Sequence, residues 1–240
     1  CLNFGNPEKE KNMGEFVECV QGINEASEYL NYPVVSGNVS FYNQTKEVGI
    51  KPTPVIGGVG LIKDYNKMIT MDFKDEGNLI LIIGKTEGHL DQSLFARTIL
   101  DEKNGPPPEV NLFNEKNNGE TILKLVEDDY IKSAHDVSLG GILIGISKMC
   151  IKGNIGIELK KPKSLLSEFE YFLSEDQGRY IIEISKSDIK KVTDILEKNA
   201  VHYDEIGILK GKTINFNEKT IVPIDELTSY NSNWLTDYMN

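Results

Sequence analysis

The chain has 240 residues, 39% of them hydrophobic and 26% charged, with a formal charge of −11. That size supports a substantial core, and the excess of acid excludes a surface built broadly to bind nucleic acid, though not a small anion held by backbone amides. The longest purely apolar run, Leu79 to Ile83, is far too short to cross a bilayer, which takes roughly 20 residues.

The chain opens on "CLNFGNPE", with Cys1 in first place and neither a strand nor a secretory signal before it, and reads as a piece of a longer polypeptide. Asn3, Gly5 and Asn6 form a compact run in which Asn6, followed by Pro7, is placed to cap the first helix. Phe16, Val17, Val20, Ile23, Ala26 and Leu30 then recur at helical spacing, and Pro33 closes the segment. "VVS" reads as a short buried strand that stops at Ser-Gly-Asn. Two readings stay open there. One is an ordinary turn. In the other, Gly37 lets the backbone approach a phosphate, Asn38 offers a hard oxygen suited to Mg²⁺, and Ser40, two residues on, points to the same side if the segment is extended. "KPTPVIGGVGLIKD" follows as a strand interrupted by glycines.

A boundary is expected in the charged stretch from Asp64 to Glu76. Beyond it, "LILIIG" predicts a strand buried on both faces, "HLDQSLFARTIL" a helix, "NGPPPEVN" a rigid connector, and "GETILKLVEDDYI" a second helix. "SAHDVSLGG" predicts a loop leading into an apolar helix from near Leu139. His135 and Asp136 sit there, with free amides beyond them that attract anions; the alternatives are a proton shuttle or metal contact, and a capped loop packed on the core. "EDQGRYIIEI" places Glu175, Asp176 and Arg179 before a buried strand, a pattern read as a structural ion pair. "IGIELK", "RYIIEIS" and "NAVHYDEIGILKG" add strands, and Ile189, Val192, Ile195 and Leu196 mark a helix between the last two. Residues 226–240 read as a polar tail with one tryptophan, either a docking segment or a partly ordered end.

The alternation of helices and strands argues an α/β or α+β protein in two parts. Cys1, Cys19 and Cys150 lie far apart, form no metal spacing, and fit reduced thiols in a cytoplasmic protein. No Walker A loop, GxGxxG or nucleophile elbow occurs, and no metal-ligand spacing links His89, His135 and His202.

Taken in order, "CLNFGNPEK", "PVVSGNVSFYN", "KPTPVIGGVGLI", "GHLDQSLFAR", "GPPPEVNL" and "SAHDVSLGG" closely resemble the large synthetase subunits of the phosphoribosylformylglycinamidine synthase family, over residues 1 to 225. The resemblance implies a fold like that of aminoimidazole ribonucleotide synthetase, duplicated within a longer subunit. Residues 1–66 would be the C-terminal part of the second A-type domain, residues 67–225 the second B-type domain, and residues 226–240 a tail. It implies an ATP-dependent ligase that converts formylglycinamide ribonucleotide and glutamine-derived ammonia into formylglycinamidine ribonucleotide during purine biosynthesis. The cofactors would be ATP and Mg²⁺. The partners would be a glutaminase subunit, a small accessory subunit and the N-terminal half of the same polypeptide, with no nucleic acid and no membrane.

By the same resemblance Gly37 matches an ATP contact, Asn38 a magnesium ligand and Ser40 a substrate contact, while Asp136 would face a pseudo-symmetric nucleotide site. The family's catalytic histidine falls in the other half, so no catalytic residue is expected here and the piece alone should be inactive. The family's acidic ATP contact would precede Cys1. Asp91 stands where the family commonly has glycine, which puts the geometry of that helix start in question. The alternatives are a non-catalytic assembly or pseudo-symmetric nucleotide-binding half, or another phosphoryl-transfer activity of the same superfamily.

Overall fold

The computed structural model describes residues 1–217 and 220–239. They form a mixed α/β protein of two compact units, Cys1–Lys63 and Asp64–Asn240.

The first unit contains β1 (Leu2–Asn3), α1 (Glu10–Tyr29), β2 (Val39–Ser40), β3 (Gln44–Thr45), β4 (Val48–Gly49) and β5 (Thr53–Pro54). β1 is the centre of a three-stranded sheet, parallel to β2 and antiparallel to β5. β3 and β4 form a separate hairpin. α1 rests on an aromatic cluster in which Phe16 meets Phe4 at 5.3 Å and Phe41 at 5.0 Å, both edge to face. Asn6 does not cap this helix: its side chain accepts from the Glu8 amide, and the helix starts later, at Glu10.

One expected strand in this unit is absent and another is cut short. Residues 33–36 form no strand, and Val35 is 91% exposed; the strand lies further on, at Val39–Ser40. The "KPTPVIGGVGLI" stretch contributes only Thr53–Pro54, and Leu61 beyond it is 92% exposed. β-branched composition says that a segment fits a pleated, half-buried surface, not that this unit supplies the neighbouring strand. Both segments are strand-like in sequence without a ladder to join.

The second unit contains β6 (Leu79–Ile83), α2 (Leu94–Thr98), α3 (Leu112–Glu127), β7 (Ile131–Asp136), α4 (Gly141–Gly153), β8 (Ile157–Leu159), α5 (Glu168–Leu173), β9 (Tyr180–Ile184), α6 (Ile189–Lys198), β10 (Tyr203–Leu209), β11 (Thr213–Phe216), β12 (Thr220–Pro223) and α7 (Ile224–Met239). The seven strands form one sheet in the order β12-β11-β8-β10-β6-β9-β7. All pairs are antiparallel except β8 with β11.

Side chains alternate across the sheet. Ile80 and Ile82 of β6 therefore join a core with Ile142, Ile146 and Met149 of α4 and Tyr171 and Phe172 of α5. Leu79, Leu81 and Ile83 join the opposite core with Ile122 and Leu125 of α3 and Val192 and Leu196 of α6. Helices on both faces explain why β6 is apolar without alternation.

Four sequence expectations shift here. His135 and Asp136 end a strand instead of lying in a loop. α4 starts at Gly141, two residues past Leu139, where Gly140 and Gly141 both take left-handed backbone angles, φ 83° and 68°. The expected tail is helical over its described residues: α7 spans Ile224–Met239, with Ile224 buried. Despite Asp91, α2 starts regularly, capped by the Ser93 hydroxyl on the Ala96 amide at 3.1 Å.

Candidate functional site

In the first unit the Asn38–Ser40 segment is pinned along its backbone. The Leu2 amide donates to the Asn38 carbonyl at 2.8 Å, and the Phe4 amide donates to the Ser40 carbonyl at 3.0 Å. The Asn43 side chain then donates to the carbonyls of Ser40 and Phe4 at 2.8 and 3.1 Å. With the chain extended, Asn38 and Ser40 share one side, and the Ser40 hydroxyl donates to the Asn38 amide oxygen at 3.2 Å. The "CLNFGN" run thus serves as the splint that holds "SGNVS" straight.

Gly37 and Asn38 are exposed. A Cβ added at Gly37 would meet no atom within 4 Å, and its φ lies outside the left-handed range. Nothing inside this chain requires glycine at position 37. An approach from outside, by a ligand or another segment, is the physical use left for it. The three candidates therefore lie together: an open backbone, a neutral amide oxygen and a hydroxyl on one exposed extended stretch.

Asp136 lies apart from them in sequence and in unit, at the end of β7. Its carboxylate is exposed and meets Nδ1 of His135 at 3.0 Å. The His135 ring is largely buried, and its Nε2 has no hydrogen-bond partner, so it is not poised as a shuttle to solvent. Across the strand pair, burial together with the Glu115 and Asp136 carboxylates pushes the Tyr180 hydroxyl above its ordinary range.

Two amides at the start of α4, those of Gly140 and Gly141, are already engaged. Gly140 N–H donates to the Glu175 carboxylate at 2.8 Å, and Gly141 N–H donates to the Ser138 carbonyl at 3.0 Å. The same oxygen of Glu175 accepts from Leu94 N–H at 2.7 Å, so one carboxylate tethers the starts of α2 and α4.

The neighbouring Asp176 and Arg179 form the expected structural pair. Asp176 accepts the amides of Glu87, Gly88 and His89 at 3.0, 3.0 and 3.1 Å. Arg179, fully buried, donates to the carbonyls of Asp176 and Ser174 and to the Thr86 hydroxyl. Its guanidinium lies 3.8 Å from the Asp176 carboxylate. Burial pushes the Arg179 pKa below its usual value. These groups fix the loop after β6 and have no exposed functional end.

The sequence reading missed Glu183 altogether. It is fully buried in β9 and accepts from the amides of Lys74 and Asp75 at 2.9 and 3.1 Å, the Asn78 side chain at 2.7 Å and the Ser133 hydroxyl at 2.8 Å. The lone charge inside "YIIEI" was the available signal. All three cysteines are free thiols, and burial pushes the Cys150 pKa up to about 12. Among the described residues no group of three or more His, Cys, Asp or Glu side chains could hold a metal ion. No described helix is long and apolar enough to cross a membrane.

Comparison with known proteins places these features in a family. The C-terminal domain of AIR synthase related proteins matches residues 75–216, and the N-terminal domain matches residues 1–62. Phosphoribosylformylglycinamidine synthase subunit PurL of Pelagibacter ubique is 68% identical over 239 residues, which is 100% of this chain and 33% of the relative. The subunit of the same name from Rhodopseudomonas palustris (strain HaA2) is 40% identical over 99% of this chain and 32% of its own length. The chain thus spans about a third of the length of these curated relatives. Among solved structures, T. maritima PurL complexed with ATP matches with a TM-score of 0.67 at 16% identity, covering 95% of this chain and 36% of that one. T. maritima PurL complexed with FGAR matches with a TM-score of 0.68 at 17% identity, covering 95% and 38%. At such identity the structural likeness speaks for the fold.

Proposed function

We propose, since this chain belongs to the family of AIR synthase related proteins, that it is one third of a phosphoribosylformylglycinamidine synthase large subunit. The whole subunit would convert formylglycinamide ribonucleotide to the amidine with ATP and ammonia. The observation that carries this reading is 68% identity along 100% of the chain to a subunit of that name. In the reaction, ATP phosphorylates the amide oxygen that is to leave, and ammonia then displaces it as phosphate, giving ADP, phosphate and the amidine. Such chemistry asks the protein mainly to position groups and neutralise charge.

In this reading Gly37 gives the nucleotide room against the backbone, and the Ser40 hydroxyl contacts the substrate. Asn38 fits Mg²⁺ in a supporting role only. It supplies one neutral oxygen, and Mg²⁺ is commonly held by a few protein oxygens together with waters and substrate phosphates. The rest of the A-type domain, the glutaminase subunit, the small accessory subunit and a cytoplasmic location follow from the same family reading. The exposed apolar segments around Val35 and Leu61 support a missing remainder, because each is a strand sequence in need of a neighbour.

The test is Asn38→Ala in the full-length protein. The expected kcat/KM for Mg-ATP falls at least about tenfold, roughly 1.4 kcal/mol of transition-state stabilisation. Stability stays within about 1 kcal/mol of the parent, since the side chain is exposed. A sharp fall in thermal stability with unchanged ATP kinetics would make Asn38 a turn residue.

Asp136 we assign to a pseudo-symmetric nucleotide site completed only in the full-length protein. For the 240-residue chain, melting curves are expected to be unmoved by Mg-ADP, and Asp136→Asn to cost at most about 1 kcal/mol. The α4 amide that would greet a phosphate already serves Glu175. A clear rise in melting temperature with Mg-ADP, lost in the variant, contradicts this.

A further inference from the structure

We infer, resting on the reading of the chain as one third of a longer polypeptide, that the distal half of α7 docks through an aromatic stripe into a groove on the remainder of that polypeptide. The groove is apolar with a basic rim.

α7 begins anchored. Ile224 is buried, and Leu227 packs against the core formed with α4 and α5. From Tyr230 to Met239 every residue is exposed. Helical spacing carries the face of Leu227 onward through Tyr230, Trp234 and Tyr238, with Leu235 and Met239 beside them. Trp234 is 61% exposed and Tyr238 81%. Because the stripe continues a face that is packed at its root, the helix presents it in a fixed direction. Large aromatics on an amphipathic helix are the anchors of helix-in-groove recognition, and a contiguous apolar patch of this kind marks an interaction site.

Charge selects the occupant. The distal half of the helix carries one acid, Asp237, and no lysine or arginine, and Asp225 and Glu226 add to the negative charge in the anchored first turn. A second copy would set acid against acid on a chain of net charge −11, and an anionic lipid surface would repel the same helix. A groove edged by Lys or Arg is complementary. The named relatives are about three times the length of this chain, so about two thirds of the polypeptide is available to supply that groove.

Amide hydrogen exchange tests this, on the full-length polypeptide and on the 240-residue chain. Residues 230–239 are expected to exchange at least about 100-fold more slowly in the full-length protein than in the shorter chain. Trp234→Glu and Tyr238→Glu, each made in the full-length protein, should restore fast exchange there and leave the protection of residues 79–83 intact. Equal exchange in the two proteins overturns the inference, and so does retained protection in both variants. Protection in the 240-residue chain that grows with its concentration identifies a second copy and also overturns it, as does protection that needs anionic vesicles. Amidine formation by the full-length protein, assayed with ammonia, reads the underlying function separately. Activity with an unprotected α7 removes the docking alone, and a protected α7 without activity removes the function alone.

Discussion

Glu183→Ala is expected to destabilise the second unit by about 3 kcal/mol or more, read as a lower urea midpoint at unchanged slope. The carboxylate lies in β9 at the middle of the fold and satisfies two backbone amides, a side-chain amide and a hydroxyl, with no cation among its hydrogen-bond partners. Truncation removes four acceptor contacts and leaves buried donors unmet, each costing about 1–3 kcal/mol where no water can enter. It also opens a cavity beside β6 and β7, the strands on either side of β9. Glu183→Gln separates charge and geometry from volume. It fills the space, but turns an NH₂ toward a backbone amide that can only donate, Lys74 N–H at one oxygen or Asp75 N–H at the other, so it should recover only part of the loss. An Ala variant within 1 kcal/mol of the parent would mean that the 74–78 segment is held by something other than this carboxylate.

The 240-residue chain on its own is expected to form no amidine from formylglycinamide ribonucleotide, Mg-ATP and ammonia, and addition of the remaining polypeptide is expected to restore turnover. Each of its three histidines is tied to a neighbour of its own. His89 Nε2 is engaged at 3.0 Å with the Pro106 carbonyl, the His135 ring is largely buried against Asp136, and His202 lies 3.5 Å from Asp204. The Asp204 contact pushes the His202 pKa up. Asn38 and Ser40 stand on a segment exposed on its outer side, where water competes with every contact they offer a ligand. Turnover by the purified chain above the uncatalysed rate would refute this expectation and move the catalytic group into residues 1–240.

The second unit was largely legible because its signals are local. The unbroken apolar run of β6 announced a strand with helices on both faces, and the Val192–Leu196 stripe announced α6. The side-by-side placement of Asn38 and Ser40 followed from the period of an extended chain, although their proposed roles came from family resemblance. What failed depended on neighbours. Residues 33–36 and 55–62 have strand composition, but pairing needs a partner strand that composition cannot name. α7 does not show as a helix in composition, because its polar residues outnumber its apolar ones and the apolar ones form a face only at a spacing of 3.6. The occupied amides of α4 were invisible because Glu175 reaches Gly140 from far along the chain.

The order of strands in the large sheet has a consequence for how this protein is made. β6 is the first of the seven to leave the ribosome, yet it lies at the interior of the sheet between β9 and β10, whose residues start at Tyr180 and Tyr203. Until those strands emerge, Leu-Ile-Leu-Ile-Ile has neither of its ladders, and closure must wait for contacts of long sequence separation. During that interval the nascent chain carries an uncharged, β-prone five-residue run with both edges open, the kind of segment that seeds aggregation. The charged stretch Asp72–Lys74–Asp75–Glu76 just ahead of it and Lys85 just after it flank the run as gatekeepers during synthesis. Translation that slowed between residues 84 and 180 would lengthen this exposure, and translation that ran quickly through to β10 would shorten it.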